Sequence, residues 1–556
     1  MLETIIKTLI FVVLLFGAIL YYKKTKNEKH NVIRVLIAVA VLVMVLSYLI
    51  PGSMVDYSYG TIKDDAVVPM TISSLFTNFS TAISLSISTI VYIAVIGIMY
   101  AILKKSSKYD ALVDNTAYAF RKNKSLFIVL TIFVLGLFGM FTGEVLALLA
   151  FIPFLISVIR RLGYSKEVSI ISTVGTLLLG QAGAVYSSYL FKSLQITYTD
   201  GLLTKVIISA VVLVFIAAFV LLFNKKPTPE KEIVKSKEGK LLPLYITFGV
   251  VFLLLIMGFI PWTEYFGFTG FADFLASIRE AEFMKVSIFD SIVGNSTSIA
   301  AFGTWQLINA GVLFIFVDIV LAIVYKVWSV DTLVQGIKKT VPYMAITVLS
   351  YLIIVLIMNS GIFYTLTMGL TKTAINMLTV GTTSILSALS ITEYTYATNF
   401  SLVAISSSSL FVQDSETFNL VSTVYQALYS LFLIISPVSI FLLFGLHYTD
   451  TKYKDWIKYI YKFFIVLLVT ILVIVKVSLD GFDTFGAIAV TLLAVGLLLI
   501  VYLFVVKGTT TIAHKQVKKL ETKDSEKEEP VVKKVEVEKP TAKKTTKKPT
   551  KKATKK

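Results

Sequence analysis

The sequence has no cysteine, only three histidines, and charge on just 15% of its 556 positions. Without Cys there is no structural disulfide, no thiolate metal site and no thiol catalysis. His30, His447 and His514 each lie in a charged flank, which argues against a histidine metal cluster. A soluble chain of this size would be about a quarter charged. Here 56% of residues are hydrophobic and the mean hydropathy is +0.82. That much apolar surface has no place in a water-soluble multidomain enzyme. A Gly-x-x-x-x-Gly-Lys-Ser/Thr loop is also missing from the sequence, so a primary ATP-driven pump is not expected.

Apolar runs of about 20 residues recur along the whole chain, the length a helix needs to cross a bilayer. The expected fold class is an all-α polytopic membrane protein. Spans are predicted near 4–22, 32–50, 87–103, 168–190, 205–223, 241–260, 299–326, 341–358, 418–446, 460–477 and 484–506. The run 4–22 has no small-residue cleavage site after Tyr21-Tyr22, so it reads as a retained helix and not a signal peptide.

The net charge of +18 sits mostly in loops and in a tail ending KPTAKKTTKKPTKKATKK. Basic blocks at 23–29, 104–108, 121–124, 160–161, 225–240, 338–339 and 452–458 are expected in the cytoplasm. This places the N-terminus outside and the C-terminal tail inside the plasma membrane of a bacterium. The loops 52–86 and 262–298 fall outside. The tail from 508 cannot bury enough apolar surface to fold, and the expectation is a disordered segment against anionic lipid. It holds no aromatic residue to stack on bases, so no specific nucleic acid is expected.

Two segments depart from simple crossings. Residues 125–159 are apolar, yet basic residues flank both ends, and 35 residues are fewer than the roughly 40 that two crossings and a turn require. The expectation is a re-entrant hairpin with its tip at Thr142-Gly143-Glu144. Residues 361–380 read as a surface-lying helix. Residues 381–412, polar in the centre and apolar at the flanks, read as a second hairpin entering from the opposite side. The organisation is then a first unit over 1–223, a basic linker over 224–240 and a second unit over 241–477. An extra crossing over 478–507 and the tail over 508–556 complete it.

Each unit has an odd number of crossings, so the two run in opposite directions. Glu144 is followed after 28 residues by Ser172-Thr173-Val174, and Glu393 after 29 residues by Ser422-Thr423-Val424. Inverted repeats with polar breaks at mid-membrane point to a secondary transporter, with its solute at the repeat interface.

The run Gly139-Met140-Phe141-Thr142-Gly143-Glu144, the apolar stretch to Pro153, and Leu162-Gly163-Tyr164 resemble the first hairpin of YfcC-like carriers. These are relatives of the DcuC-type anaerobic C4-dicarboxylate carriers in the ion transporter superfamily. Ala301-Phe302-Gly303-Thr304-Trp305 is similar to that family's Gly-x-Trp region. The resemblance covers roughly residues 32–450. It implies an inverted-repeat fold and secondary transport of amino acids, small peptides or organic anions. Val185-Tyr186-Ser187-Ser188 replaces the family's Asn-Pro-Phe element, and Thr392-Glu393-Tyr394-Thr395 its Gly/Ser-rich second tip.

An ionised carboxylate at membrane depth costs several kcal/mol unless it is paired, hydrated or protonated. Glu144 and Glu393 are therefore the leading candidates to load a proton, a cation or a solute's ammonium group. The alternative is a pair of structural carboxyls that fix the tips. Thr142, Gly143, Thr173, Gln181, Thr392, Thr395, Asn399, Thr423 and Gln426 complete the expected solute- or ion-binding set. Ser172, Thr173, Ser422 and Thr423 offer hard oxygens that suit Na+, against the ordinary reading that membrane Ser and Thr bond to their own helix. Gly180 and Gly183 read as helix-packing positions. Asp318 is a lone acid in an apolar span.

The only arginines are Arg34, Arg121, Arg160, Arg161 and Arg279, and only Arg34, at the start of the span 32–50, falls inside a predicted span. Two acidic tips without a central cation favour a zwitterionic or cationic solute such as an amino acid. The expectation is a carrier coupled to H+ or Na+, or an exchanger, with no catalytic residue and no cofactor, set in lipid, with a homodimer as one option for its assembly. A C4-dicarboxylate carrier is the alternative within the fold. A membrane-embedded transferase is the alternative outside it, although the outer loops offer few Arg, His or Asp residues.

Overall fold

The computed structural model of the chain describes Phe16 and residues 31–50, 52–56, 61–64, 70–186, 190, 193–225, 227–239, 241–283, 286–287 and 300–480. The predicted crossings at 4–22 and 484–506, Ser187-Ser188 and the tail lie outside the described residues.

The described chain is all-helical apart from two short antiparallel hairpins, β1 (Ser53–Asp56) with β2 (Thr61–Asp64) and β3 (Glu282–Phe283) with β4 (Val286–Ser287). The first half runs through α1 (Asn31–Leu46), α2 (Ile72–Lys105), α3 (Lys108–Ala119), α4 (Lys124–Thr142) and α5 (Ile152–Arg161). It continues with α6 (Lys166–Ile170), α7 (Thr176–Gly180) and α8 (Leu202–Leu222). After the linker come α9 (Leu242–Phe259), α10 (Trp262–Phe266), α11 (Gly270–Glu280), α12 (Leu307–Val324), α13 (Val330–Ser360) and α14 (Ile362–Thr371). The rest is α15 (Met377–Ser390), α16 (Tyr394–Ser406), α17 (Ser415–Leu433), α18 (Ile440–Tyr448) and α19 (Tyr453–Asp480).

Seven of these helices are long and apolar enough to cross a membrane. Six coincide with predicted spans, and the seventh is α4, the first arm of the predicted hairpin. At 19 residues and 1.5 Å rise, α4 covers about 28 Å, close to a whole hydrocarbon core. The return arm begins as a 3-10 helix over Leu146–Phe151 and continues as α5. A 3-10 helix rises about 2 Å per residue against 1.5 Å. The segment therefore reaches further than an all-α estimate allows, and both of its ends still meet basic residues.

Two expectations change, and Arg34 at the edge of a predicted span is enclosed. The predicted outer loop 52–86 turns helical at Ile72, where the Thr71 hydroxyl accepts from the Ser74 N–H at 3.1 Å. Ser and Thr on the exposed face of this α2 extension hide a helical apolar spacing. The predicted surface helix 361–380 is instead α14, with Phe363, Tyr364, Thr367 and Met368 buried, packed against α15 and α16. Arg34 lies within α1 and is buried.

Two predicted crossings are broken where the site forms. Residues 166–183 pass from α6 through a π turn (Ile171–Gly175) and α7 to a 3-10 turn (Gln181–Gly183). Around Ser436-Pro437, α17 stops at Leu433 and α18 starts at Ile440. Proline lacks the N–H that would continue the helix, and the freed carbonyls need other donors. Trp456 Nε1 donates to Ile434 O at 2.8 Å, and the Tyr453 hydroxyl donates to Ile435 O. The carbonyls of Ile434 and Ile435 freed by the break are thus both bonded.

Each hairpin's first arm packs on the helix after it, α4 on α7 and α15 on α17. The first pair meets through glycine. A Cβ at Gly180 would stand 2.8 Å from the Gly136 carbonyl oxygen and 3.1 Å from its Cα. Gly180→Ala is expected to push these backbones apart and to lower the thermal midpoint of purified protein. Gly249→Ala, in α9 with open space around it, should cost nothing measurable. Equal midpoints for the two variants would refute the close-packing account.

Candidate functional site

The helix α4 ends on Gly143, whose φ of +66° is the left-handed conformation that caps helices and that glycine adopts without strain. The Thr142 hydroxyl donates to Phe138 O at 2.6 Å and accepts from the Glu144 N–H at 3.1 Å. These bonds turn the chain so that Glu144 follows the helix end directly. In the second hairpin, Glu393 is the N-cap of α16, its Oε2 accepting from the Tyr396 N–H at 2.8 Å. The Thr392 hydroxyl accepts from the Ile440 N–H at 3.0 Å, so the second tip also closes the first turn of α18.

The two tips meet. A cavity of about 110 Å³ is lined by Thr142, Gly143, Glu144 and Gln181 from the first half and by Thr392, Glu393 and Thr395 from the second. Glu144 is exposed by accessible surface although protein surrounds it densely, as expected of a group facing an internal cavity. Glu393 is half-buried and within electrostatic reach of it. No Lys or Arg is among the lining residues described.

A chain of hydrogen bonds ties the tips together. The Tyr394 hydroxyl donates to Gln426 Oε1, and Gln426 Nε2 donates to the Gln181 carbonyl at 2.7 Å. Gln181 Nε2 in turn donates to the Gly143 carbonyl. One glutamine from each broken helix thus links the first tip to the second. Gln426 serves the site through this chain without lining the cavity.

Six other residues singled out by the sequence are not brought into the cavity. The Thr173 hydroxyl donates to Ser169 O at 2.7 Å, the Ser422 hydroxyl to Asn419 O at 3.2 Å, and the Thr423 hydroxyl to Asn419 Oδ1 at 3.2 Å. These are bonds within their own helices, the common fate of membrane Ser and Thr. Ser172 is buried in the π turn, its hydroxyl without a partner among the described residues. Asn399 lies a turn into α16 and does not line the cavity. Asp318 is buried in α12, also away from it.

Tyrosines complete the wall, and they were not among the candidates. Tyr351, Tyr394 and Tyr429 all line the cavity. Tyr429 stacks on Tyr425 and donates to Ile391 O at 3.0 Å, holding the residue before the second tip. The i, i+4 pair Tyr425/Tyr429 in a helix that also carries Gln426 is the sequence signal for this wall.

No protein-family model and no characterised protein sequence matches the chain, so the family resemblance rests on its motifs alone. A similar solved structure is that of the Alcanivorax borkumensis YdaH transporter, described as having an unusual topology. It shares 10% identity over 81% of this chain and 99% of that one, with a TM-score of 0.37. A likeness this loose carries no argument about substrate or mechanism.

Proposed function

We propose that the chain is a secondary active transporter that moves a free amino acid across the membrane, coupled to H+ or Na+ or by exchange. The observation that carries this reading is the meeting of two acid-bearing tips, Glu144 and Glu393, at one cavity with no cationic side chain described in its wall. Two carboxyls at such a point suit a proton, a small cation or an ammonium group.

The N-terminus of α18 supplies the opposite pole. Its first residues, Ile440 and Phe441, line the cavity, and its N-cap Ser439 makes no side-chain capping bond. First-turn N–H groups and the helix dipole favour a carboxylate there. The cavity wall thus holds groups that suit an ammonium and groups that suit a carboxylate, the charge pattern of a zwitterion. A dicarboxylate would bring its second anion against two acids. A cavity of about 110 Å³, small beside the roughly 300–1,000 Å³ typical of drug-sized ligands, favours a free amino acid over a peptide.

The test is a thermal-shift screen of amino acids, dipeptides and C4-dicarboxylates, with and without Na+ and across pH, followed by uptake into proteoliposomes. A true substrate at about 100 times its Kd should stabilise the folded protein by about 2.7 kcal/mol. Exchange of C4-dicarboxylates with no response to amino acids would overturn the zwitterion reading.

A further inference from the structure

Two more cavities lie beyond the central one along the same three walls. The return arm of the first hairpin gives Leu146 to the central cavity, Leu149 to a second of about 250 Å³, and Ser157 to a third of about 640 Å³. Helix α18 and its end repeat the order with Phe441, Phe444 and Thr449. The first broken helix repeats it with Leu178, Val174 and Lys166. Three or four residues make one helical turn of about 5.4 Å. The cavities are therefore stacked end to end, from the hairpin tips to the end of the molecule that carries Arg160, Arg161 and Lys231.

Tyr109 and Tyr448 line both the second and the third cavity. Their hydroxyls join that of Ser157 in a closed triangle, with Tyr109–Ser157 at 2.6 Å, Ser157–Tyr448 at 3.0 Å and Tyr109–Tyr448 at 3.3 Å. The three side chains come from α3, α5 and α18. None of these bonds is made within a single helix, and all of them span the boundary between the two cavities.

We propose that the second cavity is the vestibule through which the solute leaves the central site, and that Tyr109, Ser157 and Tyr448 are the gate between it and the basic, cytoplasmic face. This rests on the carrier reading above. Bonds between neutral hydroxyls are individually weak in net terms, so the triangle can break and reform without a large barrier. The vestibule wall is mostly apolar, with Ile93, Ile96 and Phe444, and also carries Lys104 and Lys339.

The chain's lack of cysteine makes the test direct. Ala101→Cys puts a thiol in the vestibule wall, and Asp110→Cys puts one in the outer cavity. Each is labelled with a membrane-impermeant maleimide in vesicles of both orientations. The thiol at 110 should react promptly from one side and the thiol at 101 slowly from that same side. Adding Tyr109→Phe and Tyr448→Phe should speed labelling at 101 by about tenfold, the effect of losing hydrogen bonds of ordinary strength. Labelling at 110 should hold steady, and the thermal midpoint should fall only by what the lost bonds entail. The gate is refuted if labelling at 101 ignores the Phe pair, or if the reagent reaches 101 faster from the other side. Labelling requires no solute, so a failure of the gate is distinct from a failure of amino-acid uptake.

Discussion

Glu144→Gln should lower saturable uptake in proteoliposomes by about 10- to 100-fold, the loss expected when a charged hydrogen-bonding partner is removed, while insertion and thermal midpoint stay near wild type. The reason is local. Glu144 accepts no hydrogen bond that holds the first tip. That task falls to Thr142 and Gly143. Its carboxyl faces the cavity and Glu393, so the amide keeps shape and loses charge. Glu393→Gln should lose uptake as severely, and Glu393→Ala should also lose stability, because Glu393 caps α16 through the Tyr396 N–H and a cap lost to Ala costs about 1 kcal/mol. The pair of variants thus separates transport chemistry from architecture. Thr173→Val serves as the control, since its hydroxyl only returns to Ser169 O. Uptake unchanged in Glu144→Gln would return both acids to a structural role, and loss in Thr173→Val equal to that in Glu144→Gln would mean that the cavity is not the site.

The hairpin tips were legible in the sequence because a Glu in an apolar run is expensive and few physical reasons justify one. The turn chemistry was legible too, since Thr-Gly-Glu at a helix end names its own cap. What the sequence hid has three physical causes. A helix whose exposed face is Ser and Thr, as in 72–86, has the composition of a loop and the spacing of a helix, and composition is the stronger signal to a reader. A 3-10 turn changes reach without changing composition, so the span length of α4 and its return arm could not be counted from residues. Hydroxyls look alike in sequence whether they face a cavity or their own backbone. Thr142 and Thr173 both donate to their own helix backbone, yet only Thr142 lines the cavity. The tyrosine wall is the plainest case. Tyr351 and Tyr429 belong to helices far from either tip in sequence, and only the packing of α13 and α17 around the cavity makes them neighbours of Glu393.

Gln426→Leu should be the most damaging single change to the core of the site. It removes the acceptor for the Tyr394 hydroxyl and one of the two donors to the Gln181 carbonyl, which keeps the Ala184 N–H at 3.0 Å, a loss of about 1–3 kcal/mol in all. It also breaks the only described hydrogen-bonded chain that runs from one tip to the other, and the members of such a chain support one another. The thermal midpoint should fall and uptake should be lost, with the two losses inseparable in this variant. Separation comes from the neighbours. Tyr394→Phe cuts the chain at its end and spares the Gln426–Gln181 bond, so it should cost about 1 kcal/mol and leave substantial uptake. Gln426→Glu keeps an acceptor for Tyr394 but has no N–H for the Gln181 carbonyl, so it should behave like the Leu variant in uptake despite its similar size. If Gln426→Glu transports normally, the bridge between the broken helices is dispensable, and the two tips hold their places by the closure of Thr392 on α18 and the glycine contact of α4 with α7.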